Sequence, residues 1–203
     1  IRDKLVTGVQ TCALPICIAC SLLRLYSLTG EVKYIDAVKE AILYENTLFS
    51  PHYGNWLDLR VSSDKPERER FMTAWCQGAP GIAIGRIGCL SVLDTEEIRK
   101  DIDIALDTTI KCPLLERDHV CCGNFGIGEI LFTSGLKLNR VDLIEKGLFK
   151  ASQIVSMAKY RGTFNCGIGG YYDPAFFQGI SGSGYELLRM IEPDIIPSVL
   201  MLE

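Results

Sequence analysis

A short glycine motif, Gly-x-x-Gly, occurs three times in the chain and constrains the fold more than any other feature. The three copies span Gly78–Gly81, Gly123–Gly126 and Gly179–Gly182. Each copy precedes a stretch that is apolar on most sides, which predicts a buried helix beginning directly after the motif. Glycine suits such an entrance because it permits positive φ and lets neighbouring backbones approach closely.

Amphipathic helices are predicted between the buried ones. Apolar residues recur at helical spacing from Ile35 to Leu48, from Ile98 to Ile110 and from Val141 to Val155. A glycine turn, a buried helix and an amphipathic helix thus repeat at intervals of about 45 to 55 residues, which is typical of a helical array. We predict an all-α fold in which inner helices alternate with outer ones, with a helical toroid as its form.

Composition excludes several classes of function. Hydrophobic residues make up 48% and charged residues 23% of the 203-residue chain, which indicates a globular body. The net charge of -4, with no cluster of Lys or Arg, gives a nucleic acid no surface on which to dock. No apolar run reaches the roughly 18 residues that a membrane span requires. The nine cysteines are odd in number and include an adjacent pair, so we expect a reducing cytosol instead of a disulfide scaffold.

Three cysteines stand beside glycine motifs. Cys76 comes just before the first motif, and the doublet Cys121–Cys122 comes directly before the second. A tetrahedral Zn²⁺ held by three protein ligands keeps one position open, which is the arrangement of a catalytic site. Cysteine is also among the most buried residue types, so core packing is predicted for three others, namely Cys89, Cys112 and Cys166.

The glycine and cysteine motifs resemble one family. The residues that carry the resemblance are Trp75-Cys-Gln-Gly-Ala-Pro-Gly81, Cys121-Cys-Gly-Asn-Phe-Gly-Ile-Gly128, the closing Gly179-Ile-Ser-Gly-Ser-Gly-Tyr-Glu-Leu-Leu-Arg189 and Pro197-Ser-Val-Leu-Met-Leu-Glu203. Together they resemble the LanC-like cyclase domain of class II lanthipeptide synthetases, the LanM type. The likeness runs from Ile18 to Glu203, which we take as a partial cyclase domain.

The resemblance implies an architecture and partners. The family's α/α toroid has seven inner and seven outer helices around a central zinc, and this chain resembles roughly its second half. The other half of the toroid and the dehydratase domain of such a synthetase are the partners implied within the parent protein. The resemblance also implies a location in the bacterial cytoplasm.

The resemblance further implies a site and a reaction. Cys76, Cys121 and Cys122 correspond to the zinc ligands; most relatives have His at the position of Cys122, so the chain resembles a three-cysteine subgroup. Trp75 and Gln77 are expected to line the substrate cleft. The substrate implied is a dehydrated precursor peptide, whose Cys thiolate adds to dehydroalanine or dehydrobutyrine to form lanthionine or methyllanthionine.

The catalytic acid is not identified by this resemblance. The family's catalytic His precedes a segment matched here by Ala19–Tyr26, and no His stands there. The segment before it, residues 1–17, contains a run that resembles translated sequencing-adapter DNA, and we interpret it as a non-native, adapter-derived or disordered segment. His119 is the remaining candidate for a proton donor, but a place next to the metal ligands or on the surface is favoured, because on a helix it would face away from Cys121.

The function and three side-chain roles stay open at the level of sequence. A zinc-thiolate module that binds a cysteine peptide or glutathione without turnover competes with the cyclase. Trp75 either lines the site or packs in the hydrophobic core. Trp56 and Asp58 either line the peptide cleft or anchor a loop between helices, and the anchor is favoured because loop Asn and Asp commonly bond nearby backbone.

Overall fold

The computed structural model describes residues 14–167 and 173–201, with side chains from Ile18 onward. The segment interpreted as adapter-derived, residues 1–17, therefore lies outside the described residues, apart from the backbone of residues 14–17. The chain divides into two compact units, Ile1–Thr108 and Thr109–Glu203.

Helices dominate the described residues, which confirms the all-α prediction. The described residues form seven α-helices: α1 (Leu14–Thr29), α2 (Val32–Asn46), α3 (Ala79–Cys89), α4 (Glu96–Lys111), α5 (Asn124–Leu138), α6 (Val141–Arg161) and α7 (Ile180–Ile191). Two short strands, β1 (Phe49–Ser50) and β2 (Asn55–Trp56), pair antiparallel, and 3-10 turns span Glu67–Arg70 and Val199–Met201. Among the helices described, none is long and apolar enough to cross a membrane.

The first unit is built around α3. Nearly all of its residues are buried, because the segment is apolar on every side, and α1 packs against both α2 and α3. The exception to its apolar character is Arg86, which is fully buried and pairs with Glu45 of α2 at 2.5 Å and with Asp101 of α4 at 3.1 Å. This ion pair joins three helices, and removing one partner would leave a buried charge uncompensated.

The second unit is built around a helical hairpin. Asn139, in the left-handed conformation, ends α5, and α6 begins two residues later. The two helices approach closely at Gly147, where an added Cβ would lie less than 3.0 Å from the carbonyl oxygen of Gly128. Helix α7 packs against α5 in the same unit.

The predicted helices are largely confirmed. The three amphipathic segments correspond to α2, α4 and α6, although α2 ends at Asn46, two residues before Leu48. The buried helices expected after the first two glycine motifs are α3 and α5. The helix after the third motif, α7, is less buried than predicted, because its packed face is a stripe of residues and the opposite face leaves Leu188 59% and Ile191 71% exposed.

Close backbone approach explains the glycine motifs. An added Cβ at Gly78, Gly126 or Gly182 would lie less than 3.0 Å from the carbonyl oxygen of the residue six positions earlier in the chain. Those carbonyls belong to the loop that precedes each helix, so each loop folds back onto its own helix entrance. Gly78 also adopts a φ of 81°, which strains residues with a side chain.

Candidate metal centre

Cys76 lies in a tight turn directly before α3. The turn is closed by two backbone hydrogen bonds between Ala74 and Gln77, of 2.9 Å and 3.2 Å. The Cys76 side chain is buried. Because the turn is closed on itself and the helix begins at Ala79, the position of this thiol is set by the backbone.

Asn55 connects this turn to the preceding hairpin. Its Oδ1 accepts hydrogen bonds from the backbone N–H groups of Trp56 (2.8 Å) and Ala79 (2.7 Å). Its Nδ2 donates to the carbonyl oxygen of Met72 at 3.2 Å. The buried amide thereby holds the segments on both sides of Cys76.

The Cys121–Cys122 turn is held by its own backbone. The N–H groups of Asn124 and Phe125 donate to the carbonyls of Arg117 and Asp118, at 2.9 and 3.1 Å, which folds the loop back onto the entrance of α5. The Cys121 N–H donates to the carbonyl of Phe177 at 2.8 Å. Both thiols are half-buried.

Asp118 fastens this loop to the rest of its unit. One oxygen, Oδ2, accepts hydrogen bonds from the Arg161 guanidinium (2.6 Å) and the Asn165 backbone N–H (2.8 Å). The other, Oδ1, accepts one from the Asn124 side chain at 2.9 Å. The Asp118 side chain is buried, so these partners replace the water that would otherwise solvate it.

His119 lies against Cys122. The ring is 1% exposed, which rules out a surface position. The Cys122 N–H donates to Nδ1 at 3.4 Å, and Nε2 lies 4.0 Å from the Cys122 Sγ. Because residues 119–123 form a turn instead of a helix, His119 reaches Cys122.

The three predicted ligands stand at the entrances of two buried helices, one in each unit. Cys76 comes directly before α3 in the first unit, and Cys121 and Cys122 come directly before α5 in the second. Three thiolates are a donor set that zinc prefers over hard cations, so the chemistry of these residues fits a zinc ion.

The cysteines predicted to be core residues are buried. Cys89, Cys112 and Cys166 all lie within the protein, and the thiols of the last two have pKa values raised by burial. Burial favours the neutral thiol and outweighs the opposing charges of Lys150 near Cys112 and Arg161 near Cys166. A neutral thiol is neither a nucleophile nor a metal ligand. The core prediction is confirmed for these three.

Of the remaining predicted residues, two act as anchors. Asp58 pairs with Arg60 at 2.7 Å and its N–H donates to the carbonyl of Arg70. The Trp56 ring packs on Phe49 with centroids 4.8 Å apart. Both are buried, which favours the anchor interpretation.

Trp75 and Gln77 flank Cys76 and differ in exposure. Trp75 is buried, whereas Gln77 is half-buried. Their role in a substrate cleft remains a prediction.

Sequence reasoning did not assign roles to Asn55, Asp118 and Asn124. Each is a polar residue that is almost fully buried. A usable signal existed for Asp118 and Asn124, which stand at the entrance of α5, where such side chains satisfy free backbone groups. Asn55 lies 24 residues before Ala79 and offered no such signal. Their partners are up to 47 residues away, and this distance hides them in the sequence.

One comparison with known proteins bears on the chain. The family model described as "Lanthionine synthetase C-like protein" matches residues 16–201, which is nearly the whole chain. The match includes both cysteine turns and all three glycine motifs.

Proposed function

We propose that this chain, which belongs to the lanthionine synthetase C-like family, is the zinc-dependent cyclising part of a class II lanthipeptide synthetase. The proposed substrate is a dehydrated precursor peptide that contains Cys together with dehydroalanine or dehydrobutyrine. The proposed product is a lanthionine or methyllanthionine thioether. The motifs at Trp75–Gly81, Cys121–Gly128 and Gly179–Arg189 support the synthetase class.

The family match, which includes three cysteines at the entrances of two buried helices, is the observation that carries this proposal. Cys76, Cys121 and Cys122 would hold the zinc, since thiolates are ligands that zinc prefers. Bound zinc would supply a means of keeping a peptide thiol deprotonated at neutral pH, where a free thiol of pKa about 8.5 is mostly neutral.

The protein's own residues prepare the site for this reaction. Closed turns fix Cys76 and the Cys121–Cys122 pair, so little conformational freedom is lost when the ligands gather. Cys121 and Cys122 are half-buried, which leaves a peptide side chain a way to approach. Gln77 is half-buried beside Cys76, and we assign it to the wall of the peptide cleft together with Trp75.

The group that protonates the product carbon is not assigned. His119 is buried, and both of its ring nitrogens face Cys122. A proton donor for the substrate needs a ring nitrogen within hydrogen-bond reach of the reacting carbon. We therefore favour a role for His119 in holding Cys122 over proton transfer to the peptide.

Zinc content of the purified chain tests the site. We expect about one zinc per chain, in line with one three-ligand site, and loss of the metal in a Cys121→Ser, Cys122→Ser double variant. Cys112→Ala is the control, because that cysteine is buried and is not one of the proposed ligands. Zinc that survives in the double variant would show that the ion binds elsewhere.

Cyclisation of a dehydrated peptide tests the activity. Ring closure consumes one peptide thiol without changing the mass, so N-ethylmaleimide labelling followed by mass spectrometry counts the rings formed. We expect labelling to decrease with the zinc-loaded chain and to stay complete with the double variant. Zinc and peptide binding without loss of thiol would favour the non-catalytic module that binds cysteine peptides or glutathione.

A further inference from the structure

We propose that His119 is a positioning residue that holds Cys122 through both ring nitrogens and directs an N–H group at the ligand sulfur. The inference rests on the proposed zinc site and deepens it. It concerns the second unit alone, in which His119 and Cys122 lie three residues apart in one turn.

The two contacts define which nitrogen carries the proton. Nδ1 of His119 accepts the Cys122 backbone N–H at 3.4 Å, so this nitrogen presents a lone pair. A neutral imidazole has one donor and one acceptor, and the proton is therefore on Nε2. That nitrogen lies 4.0 Å from the Cys122 Sγ, which is the long end of the range for a hydrogen bond to sulfur.

The surrounding backbone keeps the ring in this place. Asp118, directly before His119, is fixed by Arg161 and by the Asn165 N–H. Gly123, directly after Cys122, approaches so closely that an added Cβ would lie less than 3.0 Å from both the N and the O of His119. The loop is thus folded tightly around the His119 backbone, and the buried ring has little freedom to turn away from Cys122.

An N–H donor on a metal-bound thiolate has a defined effect. It withdraws electron density from the sulfur and makes that sulfur harder to protonate, which keeps Cys122 on the metal. With three thiolates on one zinc the negative charge is high, so a donor at one of them offsets part of it. Residues that orient metal ligands in this way typically contribute about 10- to 100-fold to metal affinity.

The tautomer of His119 tests the inference without any substitution. The chain has only two histidines, and His52 is exposed, so the nitrogen NMR spectrum of the zinc-loaded, ¹⁵N-histidine-labelled protein should resolve both rings. We expect His119 as the neutral tautomer with its proton on Nε2. A proton on Nδ1, or on both nitrogens, would overturn the proposal.

A pair of substitutions then separates the two ring contacts. His119→Gln keeps an N–H near the Nε2 position, whereas His119→Asn keeps an acceptor near the Nδ1 position and loses the donor to sulfur. In the cobalt-substituted protein, we expect the sulfur-to-cobalt charge-transfer band to move to longer wavelength in His119→Asn and to stay in place in His119→Gln. We also expect zinc affinity to fall about tenfold or more in His119→Asn alone.

The outcomes distinguish this inference from the proposed site. If the wild-type chain shows no charge-transfer band with cobalt, the three-thiolate site itself is wrong. If the wild-type band is present but both variants bind zinc and absorb light as the wild type does, the three-thiolate site stands and the role of His119 is refuted. Near-UV circular dichroism of the metal-free variants shows whether they are folded. If they are unfolded, the tautomer of His119 in the wild-type protein decides whether the proposal holds.

Discussion

The Oδ1 atom of Asn55 accepts a hydrogen bond of 2.7 Å from the backbone N–H of Ala79, the first residue of α3. Helix N-terminal N–H groups lack partners within the helix, and a side chain beside the helix in sequence usually provides one. Here the partner comes from 24 residues earlier. Because Asn55 Nδ2 also donates to Met72, one buried amide fixes both sides of the turn that carries Cys76.

We expect Asn55→Ala to lower the free energy of unfolding by about 2–4 kcal/mol. The value combines a lost helix cap of about 1 kcal/mol with buried backbone groups left unpaired, at about 1–3 kcal/mol. Urea denaturation of the metal-free protein measures it. The same variant should bind zinc more weakly, since the Cys76 turn is then less well fixed.

Asn55→Asp is the matched control for this prediction. It keeps the acceptor for Ala79 and Trp56 but loses the Nδ2 donor to Met72. We expect a loss of stability even so, because a carboxylate would then face the Met72 carbonyl. Equal stability of the wild type and the Asp variant would mean that the Nδ2 contact contributes nothing.

The helices of the fold could be predicted from the sequence because their signals are local. The apolar periodicity of α4 and α6 is complete within each segment, and so is the glycine motif before α5. Contacts such as Asn55 to Ala79 were not predictable, since neither residue differs locally from many other loop and helix residues. Helix α7 was predicted to be too buried for a similar reason: its apolar residues do not reveal which face a neighbour covers.

Gly126→Ala should be strongly destabilising. An added Cβ would lie less than 3.0 Å from the carbonyl oxygen of Val120, which is backbone and cannot turn away. The loop bearing Cys121 and Cys122 must then move, and we expect a loss of about 2–4 kcal/mol in unfolding free energy together with weaker zinc binding.

Gly184→Ala is the matched control on α7. Nothing lies within 4 Å of the Cβ added at that exposed position, and alanine favours a helix interior over glycine by about 1 kcal/mol. We expect this variant to be slightly more stable than the wild type. If both alanine variants shift the thermal midpoint equally, the close approach at Gly126 is not what requires glycine there.

Asp118→Asn changes the size of the side chain very little, yet we expect it to lower the free energy of unfolding. Asp118 Oδ2 accepts from both Arg161 and the Asn165 N–H, so an amide NH₂ at that position would face two donors. We expect the free energy of unfolding to fall by about 2–4 kcal/mol, because buried donors then lose the acceptor with which they pair. Arg161→Gln is the control: Asp118 keeps its hydrogen bonds to the Asn165 N–H and the Asn124 side chain, so we expect a smaller loss than in Asp118→Asn.

The reaction of Cys121 and Cys122 with a thiol reagent reports on the same loop. Loosening at Asp118 should speed this reaction in the metal-free protein, while the buried Cys112 stays slow. Unchanged thiol kinetics and an unchanged urea midpoint in Asp118→Asn would refute the role assigned to this carboxylate.

The metal ligands could be predicted from the sequence because their residue type and glycine context are distinctive. His119 was only partly predictable, since whether it reaches Cys122 depends on the turn adopted by residues 119–123. Asp118 was missed because the residues that explain its burial are distant in the sequence. Arg161 is the last residue of α6, and Asn165 follows that helix. Local chemistry thus identified the site, whereas its supports depend on contacts that only the tertiary structure specifies.

Two buried glutamates in the second unit differ in their partners. Glu129 accepts hydrogen bonds from Thr133 (2.6 Å) and Ser198 (2.8 Å) and pairs with Arg189 at 2.9 Å. Within residues 14–167 and 173–201, neither carboxyl oxygen of Glu186 has a hydrogen-bond partner. Burial, followed by the charge of Glu129, raises the pKa of Glu186 to about 9.

Glu186 should make the protein less stable as the pH rises. Its folded pKa of about 9 lies above the value of about 4.3 expected in the unfolded chain, so between these values the folded state holds a proton that the unfolded state has lost. Stability is greatest below the unfolded pKa and falls through this window by up to about 1.4 kcal/mol per pH unit. Glu186→Gln carries no titrating proton, and we expect its unfolding free energy to decline less than that of the wild type between pH 6 and pH 9.

Urea denaturation at these two pH values, with Glu192→Gln beside Glu186→Gln, separates this effect from other titrations. Glu192 follows α7 and is exposed, so Glu192→Gln controls for the loss of one carboxylate from this part of the chain. Near pH 4 the carboxyl of Glu186 is mostly protonated in both states and close in shape to an amide, so the Gln variant should match the wild type within about 1 kcal/mol there. By pH 6 the unfolded wild type has lost this proton, which makes the wild type less stable than the Gln variant by about 2 kcal/mol. A difference between wild type and Glu186→Gln that is the same at pH 6 and pH 9 would mean that Glu186 does not titrate in this range, and that its burial is offset by a partner that binds the charged form.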